Sequence, residues 1–345
     1  MPSTRLSLYR AATTLASALP AQASCRLALA VGSLVGRLPD YDGKRAIVAS
    51  HMGRVMGRPL AGREARSVVA AVFANYARYW AESFRLPSVP QAEVIAGVKT
   101  VGEDNLDNAL GAGRGVIIAA PHLGGWEWGA MYLIARGLHV TVAVEPLEPP
   151  ELFDWFAAYR ERLGMQVVPV GPQAGAAILQ ALRQGHVVCL LSDRLVGPTS
   201  GVEVEFFGER VAMPAGPVTL ALRSRAPLLC SAVYFGAGAD DHTIDFRPPI
   251  ELNQAGRFSD RVVGGTRLLA SELELLVSAA PTQWHMVQPN WSDDPPLRSR
   301  TNRQPGGRGR STRAGGGPAP APSPAPAPKV GAEPEPDGDA TGALR

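Results

Sequence analysis

The stretch PHLGGWEWGA at 121–130 follows the apolar run GVIIAA and sets His122 where a buried strand runs out. A second apolar run, VVCLLS, ends on Asp193. Together these residue types make a general base, in which a neutral imidazole takes a proton while a carboxylate behind the ring fixes its tautomer and steadies the imidazolium. If the two strands are parallel neighbours, their carboxyl ends face the same way. Ligands of open α/β sheets bind at those ends, so His122 and Asp193 are expected to meet in one crevice. The competing readings are structural: His122 as a turn residue bonded to a carbonyl, and Asp193-Arg194 as a surface ion pair or helix cap.

Glu127 is the other candidate partner of His122. A spacing of five places two side chains about 140° apart on a helix, so the pair can approach only if the chain turns first. Gly124-Gly125 supplies that turn. The spacing predicts a strand, a tight glycine turn and a helix opening near Trp126, with the backbone N–H groups of the turn offered to an anion. The glycines at 111, 113 and 115 come before the strand, whereas a dinucleotide fingerprint follows one, so that reading fails on order.

These residues need a scaffold, and the runs VTVAV at 140–144, QVVPV at 166–170 and PLLCSAVYF at 227–235 supply further strands. Helical stretches alternate with them: WEWGAMYLIARG, ELFDWFAAYRERLG, QAGAAILQALRQG and PAGPVTLALRSR. Such alternation implies an α/β fold with a largely parallel or mixed sheet covered on both faces. GREARSVVAAVFANYARYWAESFRL, from 62, reads as an aromatic-rich helix packed on the core. GVEVEFFGE alternates Val202, Val204 and Phe206 with Glu203 and Glu205, an edge-strand pattern; Phe206-Phe207 has two readings, as acyl-tunnel lining or as core.

Of 34 basic and 31 acidic residues, eight and four lie in 297–345, so the body is nearly neutral and the basic balance belongs to the tail. That argues against nucleic acid as a partner of the folded part. The tail, rich in Pro, Gly, Ala and Arg, has too little apolar surface to order itself. Three cysteines, Cys25, Cys189 and Cys230, have no paired spacing, which argues against disulfides and a zinc site and for a reducing compartment. The expected organisation is two amphipathic helices at 1–40, a catalytic body at 41–296 and a disordered tail at 297–345. Leu27, Val31 and Leu34 fall on one helical face beyond a hinge at Pro20, and arginines interrupt every apolar run, so these helices lie at a membrane interface or pack on the core.

PHLGGWE, AYRERLG, LLSDRLVGPTSGVEVEFFGE, MPAGPVTLAL and PTQWHMVQPNW, in that order, resemble the bacterial lipid A acyltransferase family, and most nearly its actinobacterial branch, the phosphatidylinositol mannoside acyltransferases. The resemblance covers about 5–292. It implies a lysophospholipid-acyltransferase fold, an acyl-CoA thioester donor, a hydroxyl acceptor on a membrane glycolipid, no cofactor or metal, and peripheral residence on the cytoplasmic face of the plasma membrane. Carried over by residue, His122 and Glu127 form the His-x4-acid motif, Asp193 is the carboxylate paired with the histidine, and Arg160 sits near the motif's acid. Arg160, Arg194, Gly124, Gly125, Trp126, Phe206, Phe207 and His285 are candidate substrate-binding residues, although His285 reads more readily as a structural histidine than as a second base. Two departures stand out: Gly125 replaces the branch's common Asn, and Asp193-Arg194-Leu195 replaces Asp-Arg-Asp. The alternatives are acylation of another glycolipid or a lysophospholipid, or a catalytically silent lipid-binding protein.

A sugar hydroxyl is a weak nucleophile near neutral pH, so its attack on a thioester needs a base, and His122 fits. No serine or cysteine has a nucleophile-like setting, which predicts direct transfer without an acyl-enzyme.

Overall fold

The computed structural model describes residues 4–39, 43–146, 149–196 and 201–297. The expected tail lies, but for Leu297, outside the described residues. In chain order the elements are α1 (Thr4–Ala18), α2 (Ala21–Arg37), α3 (Lys44–Val55), α4 (Gly62–Arg85), α5 (Gln91–Ala96), β1 (Val98–Val101), α6 (Glu103–Gly111), β2 (Val116–Ala120), α7 (Trp126–Ala135) and β3 (Val140–Val144). They continue with α8 (Pro150–Arg162), β4 (Gln166–Pro169), α9 (Ala174–Arg183), β5 (Val187–Leu191), β6 (Gly201–Phe206), β7 (Glu209–Pro214), α10 (Gly216–Ser224), β8 (Leu228–Phe235), β9 (His242–Phe246) and α11 (Phe258–Ala279).

Seven strands form one sheet in the order β1-β9-β8-β2-β5-β3-β4. β8, β2, β5, β3 and β4 run parallel, while β9 turns back antiparallel to β8 and carries β1 parallel to itself. Parallel strands covered on both faces need apolar residues at every position, which is why VIIAA and VVCLL read as unbroken runs. Alternate residues of β2 serve opposite layers. Ile117 and Ala119 join a core with α9, α10 and α11, whereas Val116 and Ile118 join one with α6, α7 and α8. Burying each such large side chain contributes roughly 1.5–3 kcal/mol. β6 and β7 form a separate antiparallel hairpin with Glu203 and Glu205 turned to solvent and Val204 and Phe206 turned inward.

Pro20 does separate two helices. One face of α2 packs against α4 at Gly32 and Gly36; a Cβ on them would stand 2.4 Å from the Phe73 carbonyl oxygen and 2.7 Å from Ala70 Cα. Small residues there let the two backbones touch. The opposite face leaves Leu27, Val31, Leu34 and Leu38 exposed, Leu34 by 61%. Both readings of this segment therefore describe a face of the same helix: one packs, and one is apolar and uncovered. Among the described residues no helix is long and apolar enough to cross a membrane.

Candidate active site

The β2–β5 register sets the site. Ala120 lies opposite Leu191, and Ser192 extends the ladder by donating its N–H to the Ala120 carbonyl at 2.8 Å. Continuing that register by two residues sets His122 opposite Asp193. The imidazole Nδ1 and Asp193 Oδ1 are 2.6 Å apart, and the His122 backbone N–H donates to Oδ2 at 2.8 Å. The Trp284 indole N–H also donates to Oδ2, at 2.7 Å. Asp193 is fully buried, whereas the His122 side chain keeps 29% of its surface. Burial pushes the Asp193 carboxyl up, but the His122 charge and ring hydrogen bond, the Trp284 indole and the His122 N–H together hold it below its ordinary value. An ionised carboxylate only accepts, so Nδ1 carries the hydrogen and the lone pair sits on Nε2. A base with its carboxylate is what this pair can provide.

Glu127 belongs to a different network. α7 opens at Trp126, as its sequence implies, and turns Glu127 away from the dyad to accept from Arg160 at 3.0 Å and from the Ser83 hydroxyl at 2.6 Å. The Arg160 guanidinium also lies 5.0 Å from the centre of a Trp126 ring. This charge-assisted contact braces the start of α7 against α4 and α8.

His122 lines a cavity of about 250 Å³. Ile118, Val142, Cys189 and Val233 of the sheet, Ala130 and Leu133 of α7, and Tyr76, Tyr79 and Trp80 of α4 give it an apolar wall. Glu145, Arg160, Arg194, Trp126, His285 and Gln288 line it too, and Arg194 donates to Glu145 at 2.7 Å. His285 is buried among Tyr76, Tyr79 and Phe235, and burial pulls it down to about 3, so it stays neutral with its Nε2 unpartnered among the described residues. Cys189 is no nucleophile, since burial pushes its thiol up to about 12.

Two expectations are corrected. The N–H groups of the glycine turn are not offered to an anion: Gly124 donates to the Gln283 carbonyl and Gly125 to that of Val233, each at 3.0 Å. The turn instead bridges Val233 of β8 through Gly124 and Trp284 through Leu123. Phe206 and Phe207 are not among the residues lining the cavity; Phe206 is fully buried against Phe207, Trp284 and Trp291, so the core reading wins there. Gly125 also acquires a reason, because a Cβ there would meet His242 Nε2 at 2.7 Å. His242, fully buried and bonded to Glu82 at 3.0 Å, fills the space a larger residue would need.

Residues 1–293 match the bacterial lipid A biosynthesis acyltransferase family. The chain belongs to that family. It is similar to the phosphatidylinositol mannoside acyltransferase of Mycobacterium tuberculosis, 36% identical over 250 residues that cover 71% of this chain and 76% of the relative. The Mycolicibacterium smegmatis protein of the same name is 34% identical over 247 residues, covering 71% and 78%. The cavity brings together the His122–Asp193 pair, an apolar wall and the charged groups of Glu145, Arg160 and Arg194. What sequence reasoning missed are Trp284, Asn290, Ser83 and Glu145. No local pattern tells which of six tryptophans reaches a carboxylate 91 residues away.

Proposed function

We propose that the protein transfers a long fatty acyl group from acyl-CoA to a mannose hydroxyl of a phosphatidylinositol mannoside, with His122 as general base and Asp193 as its carboxylate partner. The single observation that carries this reading is the 2.6 Å Nδ1 to Oδ1 contact of a histidine that lines a largely apolar cavity. The acyl chain lies along the apolar wall. Nε2 of His122 takes the proton of the acceptor hydroxyl as its oxygen attacks the thioester carbonyl. Collapse of the tetrahedral intermediate forms the ester, breaks the C–S bond and releases the CoA thiolate, which recovers the proton from the imidazolium. The buried carboxylate stabilises that imidazolium while it lasts. Transfer is direct, since among the described residues the one thiol on the cavity wall, that of Cys189, is held protonated.

The relatives' names support the mannoside acceptor, and the uncovered face of α2 supports a peripheral position on a lipid surface at the cytoplasmic side of the plasma membrane, where its leucines enter the interface. Mass spectrometry of membrane glycolipids with and without the gene tests the acceptor. Loss of an acylated mannoside with accumulation of its deacylated form is the expected result; an unchanged mannoside profile with altered lysophospholipid would replace the acceptor.

A further inference from the structure

We propose that Trp284 is a positioning residue for this reaction, its indole N–H holding the Asp193 carboxylate in the orientation that turns Oδ1 toward His122. The inference rests on the reading of His122 and Asp193 given above. Asp193 lies just past the end of β5, where nothing in the strand itself restrains the two torsions of its side chain. Three donors restrain them instead. Oδ2 accepts from the His122 backbone and from Trp284, and Oδ1 is left for the ring. An indole N–H donates only and does not titrate, so this restraint is the same at every working pH.

Trp284 is itself built into place. Its segment bridges Leu123, accepts the Gly124 N–H at the Gln283 carbonyl and donates the His285 N–H to the His122 carbonyl at 2.7 Å. Farther along, the Asn290 side-chain amide donates to the Asp193 carbonyl at 3.1 Å. Asp294 then closes the segment, accepting from the N–H groups of Asn290 and Trp291 at 2.7 and 2.9 Å and contacting His51 Nε2 at 2.7 Å. Arg54 of α3 donates to the same carboxylate at 3.0 Å. One stretch of chain thus touches His122, the Asp193 carboxylate and the Asp193 backbone, and α3 anchors its far end.

Trp291 provides an internal control. It is buried in the same aromatic cluster, 6.3 Å from Trp284, yet its indole N–H has no partner among the described residues. Replacing either ring disturbs packing, and only one replacement removes a donor from Asp193. Without that donor a buried lone pair is unsatisfied, and the carboxylate draws the imidazole proton more strongly while losing its fixed orientation. Around the pair, His285 stays neutral, Arg194 is tied to Glu145 and Arg160 to Glu127, so the acidic limb of the rate profile reports the pair itself.

The test compares the full chain carrying Trp284→Phe, Trp284 replaced by benzothienylalanine, which keeps the bicyclic shape without a donor, Trp291→Phe and His122→Ala, with palmitoyl-CoA and a phosphatidylinositol mannoside as substrates. Both Trp284 variants are expected to lose about tenfold or more in kcat, the worth of a hydrogen bond to a charged group, with the KM for the acyl donor changed less than about twofold. Their acidic limb of kcat/KM moves to higher pH. Trp291→Phe keeps the wild-type kcat and limb even where it melts earlier. Wild-type kcat in the benzothienylalanine variant, or Trp284 variants that match Trp291→Phe in kcat and limb, would overturn the positioning role. An active His122→Ala protein would instead remove the reading on which the inference stands.

Discussion

Replacing Asp193 with Asn changes one atom and should nearly silence the enzyme. The Oδ2 position faces two fixed N–H donors, the His122 backbone at 2.8 Å and the Trp284 indole at 2.7 Å, so the asparagine must put its carbonyl oxygen there. Its NH2 group then occupies the Oδ1 position, 2.6 Å from Nδ1, where it only donates. The imidazole responds by turning its lone pair to the asparagine and carrying its hydrogen on Nε2, the nitrogen proposed to take the hydroxyl proton. A base in the wrong tautomer costs about 10³–10⁴ in kcat, or roughly 4–5.5 kcal/mol of transition-state stabilisation. The assay follows thiol release from palmitoyl-CoA together with labelled glycolipid, beside a thermal melt. Glu203→Gln and Glu205→Gln, on the exposed side of β6, serve as charge-loss controls and retain activity. A kcat for Asp193→Asn within tenfold of wild type, in a protein that melts normally, would refute the tautomer argument.

The Asp294 side chain is out of water; burial raises its carboxyl, but His51 and the N–H groups of Asn290 and Trp291 outweigh that and bring it down to about 2 from 3.8. A folded value below the unfolded one stabilises the protein above about pH 4 and is lost as pH falls toward 2, worth about 2 kcal/mol. Urea unfolding of Asp294→Asn should show that loss at pH 7 and a flatter dependence between pH 4 and 2; wild-type stability would contradict the assignment. Gly125→Asn should destabilise by about 1–3 kcal/mol through overpacking against His242, and the double change with His242→Ala should recover part of it, a coupling read from a double-mutant cycle. Leu27→Asp with Leu34→Asp should reduce flotation with anionic vesicles while shifting stability by only about 0.5 kcal/mol per site, as both side chains are exposed; unchanged flotation would move the lipid contact elsewhere.

Much of the site was legible because parallel strands buried on both faces announce themselves as apolar runs, and the residue that breaks each run marks a carboxyl end. GVIIAA and VVCLLS identified His122 and Asp193 in that way, and the register then brought them together. The glycine turn was placed correctly but its use was not, since the partners of its N–H groups, Val233 and Gln283, come from segments more than 100 residues downstream. Distance along the chain also hid Trp284. β1 and β9 escaped notice because VKTV and HTIDF are short and carry polar residues, and only their pairing with each other and β8 makes them strands. Phe206 shows the limit of composition: two adjacent aromatics suit a channel or a core, and the turn of the β6–β7 hairpin decides which.

Whether His122 is the base is decided by transfer of a radiolabelled palmitoyl group from its CoA thioester to a phosphatidylinositol mannoside by wild-type and His122→Ala proteins at equal folded concentration, with circular dichroism on both. His122 is partly exposed at a strand end and contributes little packing, so the variant should fold normally. Labelled acyl mannoside is expected from the wild type, with a loss of about 10²–10⁴-fold in the variant. A His122→Ala protein that retains more than a tenth of the wild-type rate would contradict the assignment of the base.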